Sequence, residues 1–277
     1  EAIAKIRLAL RLGENSKWRL CNVFGSHGWN LLAAGIGSAL GDYRPQRRVS
    51  PGVRGERLVE RTARPACIKL ETLEQNLEWH TVKFGLRYCN TARYTDPALA
   101  VELVQAGEEA GFESAWTVEH TVVPAGYESA YPYSADGKMA GGHDDIPLPD
   151  PLIWMAYVGG MTSRINLATG ILILPQHNPV VAAKQIATLD HMTGGRILLG
   201  IGVGWLREEF QAIGTPFDDR GPRTDEYVAA MRELWTADRP AFSGEFVNFD
   251  GVYCRPQPAQ GSVPIIIGGH SKAAARR

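Results

Sequence analysis

From Lys83 onward, short apolar runs alternate with helical patterns, and that order leaves few folds open. Lys83 to Cys89 predicts a first strand. Asp96 offers a helix N-cap with Pro97 at the first helical position, and both suit the geometry of a helix start. Ala100, Leu103, Val104, Gly107 and Ala110 follow at helical spacing, and Gly111 marks the end. Ser114 to Glu119 predicts a second strand, and Asp150-Pro151 repeats the Asp-Pro start. Ile165 to Leu174 is strongly apolar, as a parallel strand covered on both faces should be. Asn178-Pro179 opens a helix to about Met192, stopped by Gly194-Gly195. Arg196 to Gly202 predicts a fourth strand. A helix capped by Thr224 follows, with Val228, Met231, Leu234 and Trp235 on one face. Pro264 to Gly268 predicts the fifth strand.

A doubly wound sheet and a (β/α)8 barrel both satisfy this alternation. The glycines after the fourth strand test the first. A dinucleotide fingerprint needs G-x-G-x-x-G, but Gly200-Ile-Gly-Val-Gly-Trp205 places Trp205 where the last glycine belongs. No phosphate-binding Gly-Lys-Ser/Thr follows a strand either. Barrel enzymes keep polar residues at the carboxyl ends of their strands. Here those ends carry Asn90, Glu119-His120, Gln176-His177-Asn178, Gly202 to Trp205 and Gly269-His270-Ser271. The fold expected is α/β, a TIM-type (β/α)8 barrel truncated after about its fifth strand.

Composition changes near residue 82. Residues 1–81 are poorly patterned and carry a basic excess, whereas residues 82–277 carry an acidic one, within a net charge of −1. Residues 1–81 are expected to be an extension, upstream or non-native, with no part in the chemistry. The alternative is a genuine extension packed on the barrel domain of residues 82–277. An acidic domain has no electrostatic reason to bind nucleic acid. The apolar run from Trp29 to Leu40 falls short of the ~18 residues of a membrane span and reads as a buried helix. The stretch from Gly41 to Pro65 reads as loop. Cysteines 21, 67, 89 and 254 form no C-x-x-C pair, so neither a metal site nor a disulfide scaffold is expected, and a cytoplasmic location is.

Five blocks, in order, resemble the luciferase-like family. They are Ile165 to Pro175, Pro179 through Ala187 to Arg196, Gly200 to Trp205, Arg220 to Glu226, and Pro264 to Ser271. The family includes bacterial luciferase, alkanesulfonate monooxygenase and deazaflavin-dependent dehydrogenases and reductases. The resemblance implies a flavoprotein that works with reduced FMN or a deazaflavin coenzyme on a small organic substrate. It admits a separate flavin or deazaflavin reductase and a homo-oligomer as partners.

His120, beside Glu119, is the first catalytic candidate. An imidazole titrates near pH 6.5 and exchanges protons at working pH. The alternative is a histidine that only orients the ring. Asn90 is a cofactor-binding candidate at the end of the first strand. Glycine inside a strand marks a bulge or a close approach, and the resemblance implies a strained peptide near Thr169 and Gly170 under the cofactor. The neighbouring Asn178 is explained as a cap, which leaves Gln176 and His177 as the weaker candidates beyond this strand. Gly202 and Gly204 leave room for a flat ring flanked by Trp205 and Glu209, or simply form a tight turn. Gly268, Gly269 and Ser271 resemble a phosphate-binding block, with backbone N–H groups at a helix start. Asp190 and Arg196 read as charge pairing around a helix end, and Cys89 as an inert thiol. The 29 residues from 121 to 149 read as a substrate-side lid.

Three functions stay open: a monooxygenase acting on paired donors with dioxygen, a deazaflavin-dependent hydride-transfer enzyme, and a non-catalytic flavin-binding barrel fragment. Residues alone do not separate them.

Overall fold

The computed structural model describes residues 83–139, 143–269 and 271–277. The expectations for residues 1–81, including the Trp29–Leu40 helix and the Gly41–Pro65 loop, lie outside the described residues, as does His270.

Every β-strand of the main sheet is parallel to its neighbours. Strand β1 (Gly85–Arg87) pairs with β2 (Ser114–Thr117), and β2 with β3 (Asn166–Thr169). Strand β3 continues as β4 (Leu172–Ile173). Both pair with β5 (Ile197–Gly202), which pairs in turn with β8 (Ile265–Ile267). The helices are α1 (Pro97–Glu109), α2 (Pro151–Gly159), α3 (Pro179–Thr193), α4 (Arg207–Ala212) and α5 (Arg220–Thr236). The five predicted strands and their parallel order stand, in an arc that matches a truncated barrel.

The helix starts follow from local chemistry. Asp96 accepts from the backbone N–H groups of Ala98 and Leu99, Asp150 from Ile153, and Asn178 from Val180 and Val181. Gly194 ends α3 at φ 70°, where a Cβ is costly. Thr224 is a correction: α5 begins four residues earlier, and the Thr224 hydroxyl donates to the Arg220 carbonyl inside the helix. Pro222 sits in the first turn, where a missing N–H costs nothing. Helix α4 and a small antiparallel hairpin, β6 (Phe242–Ser243) and β7 (Asn248–Phe249), were not anticipated.

The core lies between the outer face of the arc and the helices. Leu167, Leu199 and Ile201 meet Ala183, Ile186, Met231, Leu234 and Trp235 there, all essentially inaccessible. Burying such side chains stabilises by about 1.5–3 kcal/mol each. Asp190 and Arg196 also differ from expectation. They do not pair with each other. Arg196 donates to the carbonyls of Gly159, Thr162, Ile165 and Thr193, while Asp190 accepts from Ile197 and Gln260. Each ties chain segments together at the amino end of β5, and burial lowers the Arg196 pKa.

The third barrel strand is broken where Gly170 stands. Ala168 is opposite Leu198 and Leu172 is opposite Ile201, so β3–β4 carries one more residue than β5 across the same span. That is a bulge, and its Gly170–Ile171 peptide is cis.

Candidate active site

Because the strands are parallel, their carboxyl ends form one mouth. Asn90, His120, Thr169, Gly202 and Gly269 all lie at or just beyond those ends. Alternation along β2 and its extension sends neighbouring side chains apart. Glu119 and His120 therefore do not pair with each other. Glu119 turns toward β4, where Oε1 meets His177 Nε2 at 2.9 Å and Oε2 accepts from the Ile173 N–H. His120 Nδ1 meets Glu209 Oε2 at 2.9 Å, on α4.

Both carboxylates are sealed from water, with 2% of the Glu119 side chain exposed and none of Glu209. Buried charge needs donors. Glu209 finds them in His120 and in the backbone N–H groups of Thr121 and Val122. The pair fixes the His120 ring and leaves Nε2 without a hydrogen-bond partner among the described residues. For His177, burial pushes the pKa down, but the hydrogen bond and charge of Glu119 outweigh it, and the net shift is upward from 6.5. Glu119 and His177 thus form a second imidazole–carboxylate contact, on the other flank of the mouth.

Gln176 stands between the flanks. Its Oε1 accepts from the Thr121 hydroxyl at 3.3 Å, and its Nε2 is buried without a partner. An unsatisfied buried donor costs about 1–3 kcal/mol. A ring acceptor of a flavin would satisfy it, so the residues present fit such a group.

The other candidates divide. Asn90 gives both amide hydrogens to the Val118 and Pro149 carbonyls and accepts from Val118 N–H. It holds the mouth's wall together. Thr169 donates to the Gly200 carbonyl at 2.6 Å, and Gly170 backs onto Trp116. Gly202 and Gly268 face Ile171: a Cβ at either would stand 2.7 or 2.5 Å from its side chain. The room these glycines leave is taken by the bulge. Gly204 makes the tight turn at φ 80°, against Phe210. The Gly268 N–H is used on the Ile201 carbonyl, Gly269 has φ 120°, and the Ser271 hydroxyl accepts from Ala274 N–H as it opens a helical turn. Cys89 is buried and its thiol pushed up to about 12, so it is inert.

Residues 140–142 of the 121–149 loop lie outside the described residues, and the rest of the loop packs beside the mouth. Tyr127, Met139 and Leu206 form a separate apolar cluster, joined by Tyr131 and Trp205. Trp205 sits edge-on to His120, Tyr127 and Tyr131 at 5.8, 5.5 and 5.2 Å. Glu208 latches the loop, accepting from the Glu128 and Ser129 N–H groups and the Ser129 hydroxyl. The Ser129 hydroxyl leads the causes that hold the Glu208 pKa at about 2. The sequence placed Glu209 near the ring but not as the partner of His120, and gave no sign of the Glu208 latch. Among the described residues, no His, Cys, Asp or Glu cluster is arranged to hold a metal, and no helix is long and apolar enough to cross a membrane.

Known proteins are similar to this chain. An uncharacterized protein of Mycobacterium tuberculosis is 35% identical over 187 residues, covering 67% of this chain and 64% of that protein. The FMNH2-dependent dimethylsulfone monooxygenase of Pseudomonas putida is 34% identical over 178 residues, 63% of this chain and 44% of the enzyme. The chain thus spans about half to two-thirds of the length of these relatives. Among solved structures, the monooxygenase RslO1 of Streptomyces bottropensis is 28% identical with a TM-score of 0.52, over 67% of this chain and 53% of that one. An F420-dependent secondary alcohol dehydrogenase is 25% identical with a TM-score of 0.55, over 69% and 53%. Residues 83–277 match the model of the luciferase-like monooxygenases, and the chain belongs to that family.

Proposed function

We propose that the full protein is an oxidoreductase of monooxygenase type, in which a reduced FMN lies across the mouth and a small organic substrate enters beneath the lid. The observation that carries this is the pair of imidazole–carboxylate contacts flanking the orphaned Gln176 amide. Gln176, the Thr169–Gly170 bulge and Ile171 would hold the ring, and His120 would face it. Gly269 and Ser271 are the candidates for its phosphate. The bound group supplies the redox chemistry: electrons to dioxygen from a flavin, or hydride from a deazaflavin. The chain supplies position and protons. Glu209 holds His120 by Nδ1, so Nε2 can take or give a proton at the reacting centre. Trp205, Tyr127 and Tyr131 exclude water above it.

The preference for FMN rests on the 34% identity to the dimethylsulfone monooxygenase. The likeness to the F420-dependent dehydrogenase supports hydride transfer as a second function. A separate reductase supplying the reduced cofactor belongs to the first proposal.

Anaerobic titration of the full protein with reduced FMN and with reduced deazaflavin tests both. The expected result is FMN binding at least tenfold tighter, with dioxygen uptake after air is admitted. Tighter deazaflavin binding without oxygen uptake would move the assignment to hydride transfer. Binding of neither would leave a non-catalytic barrel.

A further inference from the structure

Leu86 lies against α1: a Cβ added at Gly107 would stand 2.7 Å from Leu86 Cδ1. Strand side chains alternate, so Gly85 and Arg87 face the other way, into the barrel. The neighbouring strand agrees. A Cβ at Gly85 would meet Trp116 Nε1 at 2.7 Å, and Trp116 itself backs onto Gly170 and Gly200 of the inner face. Arg87 is level with Trp116 in the ladder. It is an inward-facing cation at the carboxyl end of β1.

An inward charge needs a counter-charge, and the described residues provide none. No carboxylate among them forms an ion pair with Arg87. The mouth's own carboxylates are committed: Glu119 to His177, Glu209 to His120, and Glu208 to the lid. Arg87 instead donates to the Tyr88 hydroxyl at 2.5 Å, and its guanidinium carbon stands 4.2 Å from the Tyr88 ring centre. Tyr88 holds φ 60°, a left-handed conformation uncommon for a residue with a Cβ. The lid brings a second phenol. The Tyr131 hydroxyl is pushed up by burial and by the proximity of Tyr88 and Tyr133, and drawn down by Arg87. Its ring also packs on Trp205 at 5.2 Å.

A guanidinium and a phenol therefore meet at the carboxyl end of β1, and Tyr131, packed on the Trp205 wall that ends at His120, lies within electrostatic reach of both. Guanidinium and hydroxyl donors are the chemistry that recognises an oxyanion. We propose that Arg87, Tyr88 and Tyr131 form a subsite for the anionic end of a small organic acid, whose apolar body lies along Trp205. This rests on the mouth being the active site. The cofactor phosphate is a second source of an oxyanion, but its candidate block, Gly269 to Ser271, follows β8, at the far end of the strand order from β1.

The test uses charged and neutral isosteres, benzoate against benzamide and benzenesulfonate against benzenesulfonamide, titrated into the full protein by calorimetry. The anions should bind at least tenfold tighter than their neutral partners. Arg87→Gln should abolish that preference, and Arg87→Lys should keep part of it. Tyr131→Phe, which retains the ring and its packing, should weaken anion binding about threefold even if Arg87→Gln fails to fold. No preference in the wild type, or equal losses for anion and amide in the folded variants, would overturn the subsite. So would an Arg87→Gln protein that loses FMN binding but keeps riboflavin, since the arginine would then serve the cofactor phosphate. If neither FMN nor deazaflavin binds while the anion preference persists, the proposed activity fails and the subsite stands.

Discussion

His120 and Glu209 are 89 positions apart in sequence and 2.9 Å apart in space. That contact limits what the histidine can do, because a carboxylate on Nδ1 fixes the ring and leaves Nε2 as the nitrogen without a partner among the described residues. If Nε2 moves a proton, His120→Ala should lower turnover about 10²–10⁴-fold with cofactor affinity nearly intact. His120→Gln should do the same, since Gln keeps a donor and an acceptor but cannot titrate. Steady-state rates at saturating cofactor decide it, and a His120→Gln enzyme with wild-type turnover and an unchanged pH profile would remove the acid–base role. His177 carries a separate expectation. Its pKa is raised above 6.5 in the folded protein, so the protonated ring binds Glu119 more strongly folded than unfolded. The stability it contributes is complete below 6.5 and is lost as pH rises through the raised pKa. Thermal midpoints measured across that window should fall with pH, and fall less in His177→Gln. An unchanged slope in that variant would show that another group causes the fall. His120 was legible as a polar residue at a strand end. Its partner was not, because adjacency suggested Glu119 and only the alternation of side chains sends the two apart.

Elements were legible wherever one local rule governs them. Asp-Pro and Asn-Pro starts, the Gly194 stop and the apolar third strand all follow from backbone geometry and burial. The start of α5 was misplaced because Thr224 resembles a cap, and its hydroxyl instead satisfies a carbonyl within the helix. The hairpin Phe242–Phe249 was missed because two-residue strands leave no period to read. The bulge was half legible. Gly170 signalled it, but the role of Gly200 opposite could not be seen. A Cβ at Gly200 would stand 1.9 Å from the Thr169 carbonyl oxygen, which is backbone and cannot swing away. Gly200→Ala is therefore expected to cost more than about 4 kcal/mol, in the range reserved for steric failures of the core. Denaturant midpoints measure it. A loss below about 1 kcal/mol would mean that β3 can withdraw from β5, and that the bulge is not held as described. The lid belongs to the same scale. Its length is read from the sequence, whereas the Glu208 contacts depend on a meeting of two distant segments that no local pattern announces.

At the scale of the molecule, the described residues make an arc of five barrel positions, one of them split into β3 and β4. The mouth is complete where β2, β4 and β5 supply Glu119, His120, His177 and, through α4, Glu209. The ends of the arc differ from its middle. Strand β1 pairs only with β2, and β8 only with β5, among the described residues. Strands β2, β3 and β5 have partners on both sides. Ile266, in the middle of β8, is 38% exposed, whereas Leu167 and Leu199 in the central strands are buried. Local opening costs least where backbone pairs and apolar contacts are fewest. Amides of Asn166–Thr169 and Ile197–Gly202 should therefore exchange with solvent only as the whole domain unfolds. Those of Gly85–Arg87 and Ile265–Ile267 should exchange at least tenfold faster. Hydrogen exchange read by NMR or mass spectrometry on the 277-residue chain compares the two sets directly. The comparison also bears on the mouth, because Arg87 sits on one of these end strands and its aim depends on how firmly β1 is held. Equal protection across all four segments would mean that both ends of the arc are covered in solution.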